Sequence, residues 1–339
     1  MSIGSGVVLQ GAYEPPLFQE MVREIDELGF GRLWLTDSSL HARNAYAYLT
    51  LAAMTSPRLG LGTAVTNPLT RHPAITAASA ATVDEISGGR FVLGIGAGDR
   101  PLLALGMKPA RLDSLRASIS AIRALWRGEH VSATDRVFSL DEAHLRFAAR
   151  SDIDIFISAS GPRTLELAGE VADGVILLVG LFPEAIAWAL EHVDRGADKA
   201  GRPRPHVAVF AYGAIDEDED RALGSARSIA AWFPQTAPVI CELAGLAPDL
   251  IQEVRERYAG GEFQEAASAA SLLPDGFVRR VALAGNRDLA LSHIRAATEA
   301  GADSVNVFPL GQERMQTVRT FAGCVAELDA PARSEPGIP

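Results

Sequence analysis

Four short stretches of this 339-residue chain hold the groups whose type and spacing could do chemistry. Asp37 follows the apolar run Leu33–Leu35 directly, in the string T-D-S-S. At the end of a buried strand, burial and hydrogen bonding can tune a carboxylate for proton transfer or binding, and the plainer alternative is a turn cap. His41, in the same loop, is the nearest imidazole. Thr66 ends a strand, and Asn67, Arg71 and His72 follow in a loop stiffened by Pro68 and Pro73, where a lone His before Pro reads as structural. Gly94, Gly96 and Gly98 alternate ahead of Asp99, so they share one face of a strand. A stripe without side chains signals that something large approaches the backbone, whereas close packing of neighbouring strands would account for Gly94 alone. The spacing G-x-G-x-G is not the dinucleotide fingerprint, because the helix it would need to open is delayed to Pro109. Finally, Ala159-Ser160-Gly161-Pro162-Arg163 places a flexible residue before a proline at a first helical position. The free N–H groups of such a turn, with the helix dipole, form an anion site, although an ordinary helix start has the same local sequence.

The elements that must position these groups alternate. Strand-like runs begin near residues 3, 33, 61, 92, 155, 176, 208 and 305, with helical patterns between them. The core unit is a strand over Leu59–Thr66, a helix over Ala74–Ser87 closed by Gly88 and Gly89, and a strand over Phe91–Ile95. Eight βα units in one chain predict a TIM (β/α)8 barrel rather than a doubly wound sheet, since no linker interrupts the alternation. In such a barrel the site lies at the C-terminal strand ends, a rule that selects Asp37, Thr66, Asn67, Ala97, Gly98, Asp99, Ala159, Ser160, Gly161, Val179, Gly180, Phe308 and Pro309. One domain over 1–330 is expected, with a hairpin inserted at about 130–148 and a helical insertion at about 232–276. The tail from Pro331 reads as disordered.

Composition bounds the rest. Apolar residues make up 48% and charged residues 22%, an ordinary globular balance. The net charge of −11, without a long basic run, makes nucleic acid and anionic membranes poor partners, while leaving room for a local basic pocket. Cys241 and Cys324 lack metal-type spacing and read as small buried hydrophobes. No metal site is expected. The N-terminus lacks a secretory pattern, and the longest strongly apolar run, Val175–Phe182, is too short to span a bilayer, so the cytoplasm is the expected location.

Five strings together carry a resemblance: G-F-G-R-L-W-L-T-D at 29–37, V-T-N-P-L-T-R-H-P-A-I-T-A at 65–77, D-E-I-S-G-G-R at 84–90, L-G-I-G-A-G-D at 93–99, and I-S-A-S-G-P-R-T-L-E-L-A-G-E-V-A-D-G at 157–174. They are similar to the luciferase-like superfamily of flavin and deazaflavin oxidoreductases, and closest in wording to its methylenetetrahydromethanopterin reductase branch, which uses coenzyme F420. The resemblance implies a bacterial-luciferase-type barrel and hydride transfer between F420 and a small organic substrate. An FMN-dependent monooxygenase and a non-catalytic flavin-binding relative are the rivals. It further implies a bulge with a non-proline cis peptide at Ala64–Val65 supporting the cofactor's middle ring. The cofactor-binding set becomes Asp37, Ala64, Val65, Thr66, Asn67, Gly96, Ala97, Gly98, Asp99, Ala159, Ser160, Gly161 and Pro162, with Arg71 and Arg100 as candidates for its anionic tail. Such relatives carry His after the aspartate, where this chain has Ser38. Asp37, Asp99 and His41 are therefore the candidate proton carriers. A homodimer is the default assembly.

Overall fold

Alternation along each strand sorts the side chains into two populations. In Phe91–Ile95, Phe91, Leu93 and Ile95 join one large apolar cluster, while Val92 belongs to a second, smaller one. The same division puts Trp34, Phe156, Ile176 and Phe210 with Val92, and their strand neighbours with the larger cluster. The small cluster is the lumen of a closed barrel and the large one is the layer between barrel and helices. The computed structural model describes residues 3–38, 40–258 and 266–330; Ser39, residues 259–265, the tail from Pro331 and the side chains of Arg100 and Pro101 lie outside the described residues.

The strands are β1 (Gly4–Leu9), β2 (Arg32–Leu35), β3 (Gly60–Thr63), β4 (Phe91–Ile95), β5 (Val131–Thr134), β6 (Ser139–Ala143), β7 (Ile155–Ala159), β8 (Gly174–Leu177), β9 (His206–Ile215), β10 (Leu283–Gly285) and β11 (Ser304–Pro309). Eight of them close a parallel ring in the order β1-β2-β3-β4-β7-β8-β9-β11, with β11 returning to β1 and β8 pairing β9. This is the TIM barrel expected from the alternation, on the same eight strands. β10 pairs the outer half of β9, Gly213–Ile215, beyond the ring. β5 and β6 pair antiparallel with each other as a separate hairpin.

Trp34 plugs the lumen. It is 1% exposed and lies 5.7 Å from the Phe156 ring and 5.2 Å from that of Phe210. Its indole Nε1 donates to Asn306 Oδ1 at 2.9 Å, and the Asn306 amide in turn donates to the Val209 carbonyl. A buried indole N–H and a buried amide thus satisfy each other, which lets polar atoms sit inside an apolar barrel at small cost. Above this plug the lumen is open toward the C-terminal strand ends.

Two boundaries differ from the sequence reading. The third strand stops at Thr63 rather than Thr66, because the chain bulges there. A short helix, Arg100–Leu103, follows Asp99 directly, ahead of the long helix Leu112–Trp126. The expectation of no helix before Pro109 is corrected: proline at the second position of this turn suits a helix start. Between Phe233 and Val281 the described residues form five short helices, starting at Phe233, Pro238, Pro248, Ala267 and Asp275. Among the described residues no helix is long and apolar enough to cross a membrane.

Candidate active site

The wall between β3 and β4 is shaped by one surplus residue. From the pair Gly62–Val92 to the bridge Thr66–Ile95 the first strand advances four residues and the second three, so one residue of β3's continuation is extruded as a bulge. The Ala64–Val65 peptide within it is cis. Gly94 holds the bulge down: its carbonyl accepts from Thr63 Oγ1 at 2.7 Å and from the Thr66 N–H at 3.0 Å. A Cβ on Gly94 would stand 1.9 Å from the Thr63 carbonyl oxygen, so only glycine fits beneath the bulge. The expectation that the three alternating glycines face one large ligand is therefore corrected. Gly94 is occupied by protein backbone, whereas Gly96 and Gly98 line an open cavity. Gly98 has φ +87°, the left-handed region that turns the chain into the short helix.

Asp37 is the buried anchor of the adjacent wall. Its side chain is 3% exposed and that of Arg71 is 19% exposed. Arg71 Nε donates to Asp37 Oδ2 at 2.8 Å and Arg71 Nη2 to Oδ1 at 3.0 Å, a bidentate pair. Thr66 Oγ1 donates to Oδ2 at 2.8 Å. The Tyr46 ring lies 5.0 Å from the Arg71 guanidinium carbon. Burial pushes the Tyr46 phenol well above its ordinary pKa, and the charge of Asp37 adds to this. The Arg71 guanidinium is itself driven up by its hydrogen bonds to Asp37. Arg71 thus binds the carboxylate inside the protein, which displaces its expected role as a partner for an anionic tail. Asn67 Oδ1 accepts from the N–H groups of Leu69 and Thr70 and so shapes the same loop. His72 caps the following helix, accepting from the Ala74 N–H, and its other ring nitrogen meets the Ser139 carbonyl of the hairpin at 3.1 Å. It is structural, as its position before proline suggested.

The cavity above the plug has a volume of about 510 Å³, within the usual range for small-molecule sites. Its wall includes Asp37, Ala64, Val65, Asn67, Gly96, Ala97, Gly98, Asp99, Ala159, Ser160 and Gly161, eleven of the residues singled out from sequence. Val8, Ile176 and Phe210 rise from the lumen as its apolar floor. Three residues of the expected cofactor-binding and proton-carrying sets stand off it. Thr66 is fully buried behind the wall, bonded to Asp37. Pro162 is exposed and absent from the wall, where the same helix presents Thr164 instead. His41 is exposed and also absent from it. The helix Pro162–Val171 begins at Gly161 without any side-chain cap; Pro162 has no N–H to offer, and the Thr164 and Leu165 N–H groups bond the Gly161 carbonyl at 3.1 and 3.0 Å.

Sequence reasoning missed Gln10, Tyr212, Trp232, Thr236 and Arg314, all on the wall. Gln10 follows β1, and Tyr212 lies near the end of β9; applying the strand-end rule to those two strands would have found them. Trp232 and Thr236 come from the short-helix segment and have no comparable signal. Among the described residues no cluster of potential metal ligands occurs.

Comparisons with known proteins bear on this geometry. The 5,10-methylenetetrahydromethanopterin reductase of Archaeoglobus fulgidus is 33% identical over 310 residues, covering 88% of this chain and 91% of that protein. The F420-dependent glucose-6-phosphate dehydrogenase of Microbacterium testaceum is 32% identical over 225 residues, covering 62% of this chain and 66% of the relative. The solved structure of the coenzyme F420 dependent tetrahydromethanopterin reductase from Methanopyrus kandleri superimposes with a TM-score of 0.84 at 25% identity, covering 97% of this chain and 99% of that one. The profile of one family, luciferase-like monooxygenase, matches residues 7–304. That span runs from within β1 to the first residue of β11, well over half of the chain, and this chain belongs to the luciferase-like monooxygenase family.

Proposed function

We propose that this protein is an oxidoreductase that transfers a hydride between coenzyme F420 and a small organic substrate bound in the cavity at the C-terminal end of the barrel. The observation that carries the choice of cofactor is the similarity along most of the chain to methylenetetrahydromethanopterin reductases. The residues present fit a deazaflavin. A planar ring system needs a wall without projecting bulk, which Gly96–Gly98 and the bulge at Ala64–Val65 offer. An anionic tail needs donors without competing carboxylates, which the uncapped helix start at Gly161 offers.

When bound, the deazaflavin supplies or accepts the hydride. The chain does the remainder. Asn67, Ala97 and the backbone of Ser160–Gly161 hold the cofactor, and Asp37, fixed by Arg71 and Thr66, orients it as a hydrogen-bond acceptor. Phe210, Phe308 and Trp232 keep water from the reacting face. The Asp99 carboxyl, on the same wall, carries the proton for a substrate whose reduction leaves a basic atom.

Titration of the purified protein with F420 and with FMN, read by quenching of its tryptophan fluorescence, tests the cofactor assignment. Tighter binding of F420 is expected, and clearly tighter FMN binding would transfer the protein to the monooxygenase side of its family. The helix-start seat has its own test. Gly161 has φ −104° and ψ 152°, and nothing lies within 4 Å of where a Cβ would stand, so the fold accommodates Gly161→Leu. The variant is expected to keep its melting temperature and to bind F420 at least about tenfold more weakly. Unchanged affinity would reduce Ser160–Arg163 to a plain helix start.

We further infer a homodimer. The helix Ala45–Thr55 contains no charged residue, yet leaves Met54 77% exposed, and the helix packed beside it exposes Ile75 and Ile86. Sedimentation equilibrium is expected to give twice the 35.9 kDa chain mass, and a monomer at micromolar concentration would refute the assignment.

A further inference from the structure

The cavity wall carries a cation whose charge nothing described in the protein answers. Arg314 opens the helix Arg314–Asp329, immediately beyond β11, and is the one basic side chain on the cavity wall among the described residues. It is half-buried, and among the described residues it forms no ion pair. Its Nη1 donates to the Tyr13 hydroxyl at 2.9 Å, and the guanidinium carbon lies 5.9 Å from the Tyr13 ring. The Tyr13 backbone is held in turn, its carbonyl accepting from the Tyr48 hydroxyl at 2.7 Å. A neutral phenol takes one of five guanidinium donors and positions the group without neutralising it.

Other arginines of the protein behave differently. Arg71 is matched by Asp37, Arg280 by Glu184 and Arg319 by Glu24. Glu313, adjacent in sequence, lines a separate cavity beyond the Leu310–Gln312 turn. The chain as a whole carries a charge of −11, so no general positive field gathers anions here. A lone guanidinium facing a cavity in such a protein is a local device, and its planar fork matches the paired oxygens of a carboxylate or a phosphate.

Its place in the ring separates it from the cofactor seat. Passing from β11 through β1, β2 and β3 to β4 takes four steps in a ring of eight, so Arg314 stands across the barrel from Gly96–Asp99. Its neighbours on the wall are Gln10, Tyr212, Phe308 and Leu310, from the β1, β9 and β11 ends. We propose that this sector is the substrate subsite, and that Arg314 selects small organic substrates bearing an oxyanion, a carboxylate or a phosphate ester. This assignment rests on the F420 reading given above for the opposite wall.

Two titrations separate the claims. The first measures F420 affinity in wild type, Arg314→Met and Arg314→Lys. The second titrates inorganic phosphate, and separately acetate, into each protein loaded with F420, following the absorbance of the bound cofactor. F420 affinity is expected to stay within about threefold in both variants, while affinity for phosphate or acetate falls at least about tenfold in Arg314→Met and by less in Arg314→Lys. A preference between the two anions tells whether the natural substrate carries phosphate or carboxylate. A tenfold loss of F420 affinity in Arg314→Met would overturn the proposal by making Arg314 a holder of the cofactor's own tail. Oxyanion binding equal in wild type and Arg314→Met would overturn it as well. Failure of wild type to bind F420 at all would instead strike the cofactor reading; the same anion titrations on the unloaded proteins then decide Arg314 separately.

Discussion

Arg71→Ala is expected to lower the stability of the folded protein by about 3–5 kcal/mol, the usual result of removing one partner from a buried ion pair. The substitution leaves Asp37, 3% exposed, with Thr66 as its remaining described partner and with no counter-charge. It also strips the cation from above the Tyr46 ring, 5.0 Å away, in a pocket where the phenol is already buried beside that carboxylate. Replacing both partners of such a pair by apolar residues of similar volume costs little, but breaking it alone exposes the desolvation of Asp37 in full. Urea denaturation followed by circular dichroism measures this, with Arg71→Lys beside it. Lysine keeps the charge and loses the two-pronged geometry, so an intermediate loss is expected. An Arg71→Ala protein within about 0.5 kcal/mol of wild type would show that the clamp contributes nothing to folding. F420 binding in the variant is expected to fall with it, since Asp37 would no longer be held at one orientation on the cavity wall.

The second large effect is on turnover. Asp37 and Asp99 are the two carboxylates on the cavity wall among the described residues. The two oxygens of Asp37 accept from Arg71 and Thr66, an arrangement that makes it an anchor of the wall. Asp99 is exposed on the same wall, at the mouth formed by β4 and the short helix, where both substrate and solvent can reach it. A positioned acid–base group contributes roughly 10²–10⁴-fold to rate. Asp99→Asn, which keeps shape and removes the titrating oxygen, is expected to lower kcat at least about 100-fold while F420 affinity changes little. Asp37→Asn is expected to weaken binding instead, because the amide replaces one acceptor of the Arg71 fork by a donor. Wild-type turnover in both variants would mean that neither carboxylate supplies the proton. A substrate that is already cationic, and so needs none, would then be the simpler account.

These expectations show where sequence and tertiary structure divide the work. The eight barrel strands were legible because short runs of apolar, β-branched and small residues, β3 among them as Gly-Leu-Gly-Thr, alternate with helix-period segments, and local periodicity survives without knowledge of contacts. The strand-end rule then placed Asp37, Asn67, Ala97–Asp99 and Ala159–Gly161 on one rim, since parallel strands closing a ring must present their C-terminal ends to the same side. What periodicity cannot carry is the partner of a given side chain. Arg71 and Asp37 are separated by 34 residues, and nothing local distinguishes an arginine that clamps a buried carboxylate from one that waits for an anion. The glycine stripe failed for the same reason: Gly94 serves the carbonyl of Thr63 on the next strand, 31 positions away, and Gly96 serves the cavity, although the two look alike in sequence. Arg314 passed unnoticed in a helix start where a basic residue looks like any solvated charge. Only closure of the ring brings β11 to β1, sets Tyr13 against its guanidinium and turns it to the cavity, because the distance between these two residues is decided by the barrel and not by the chain.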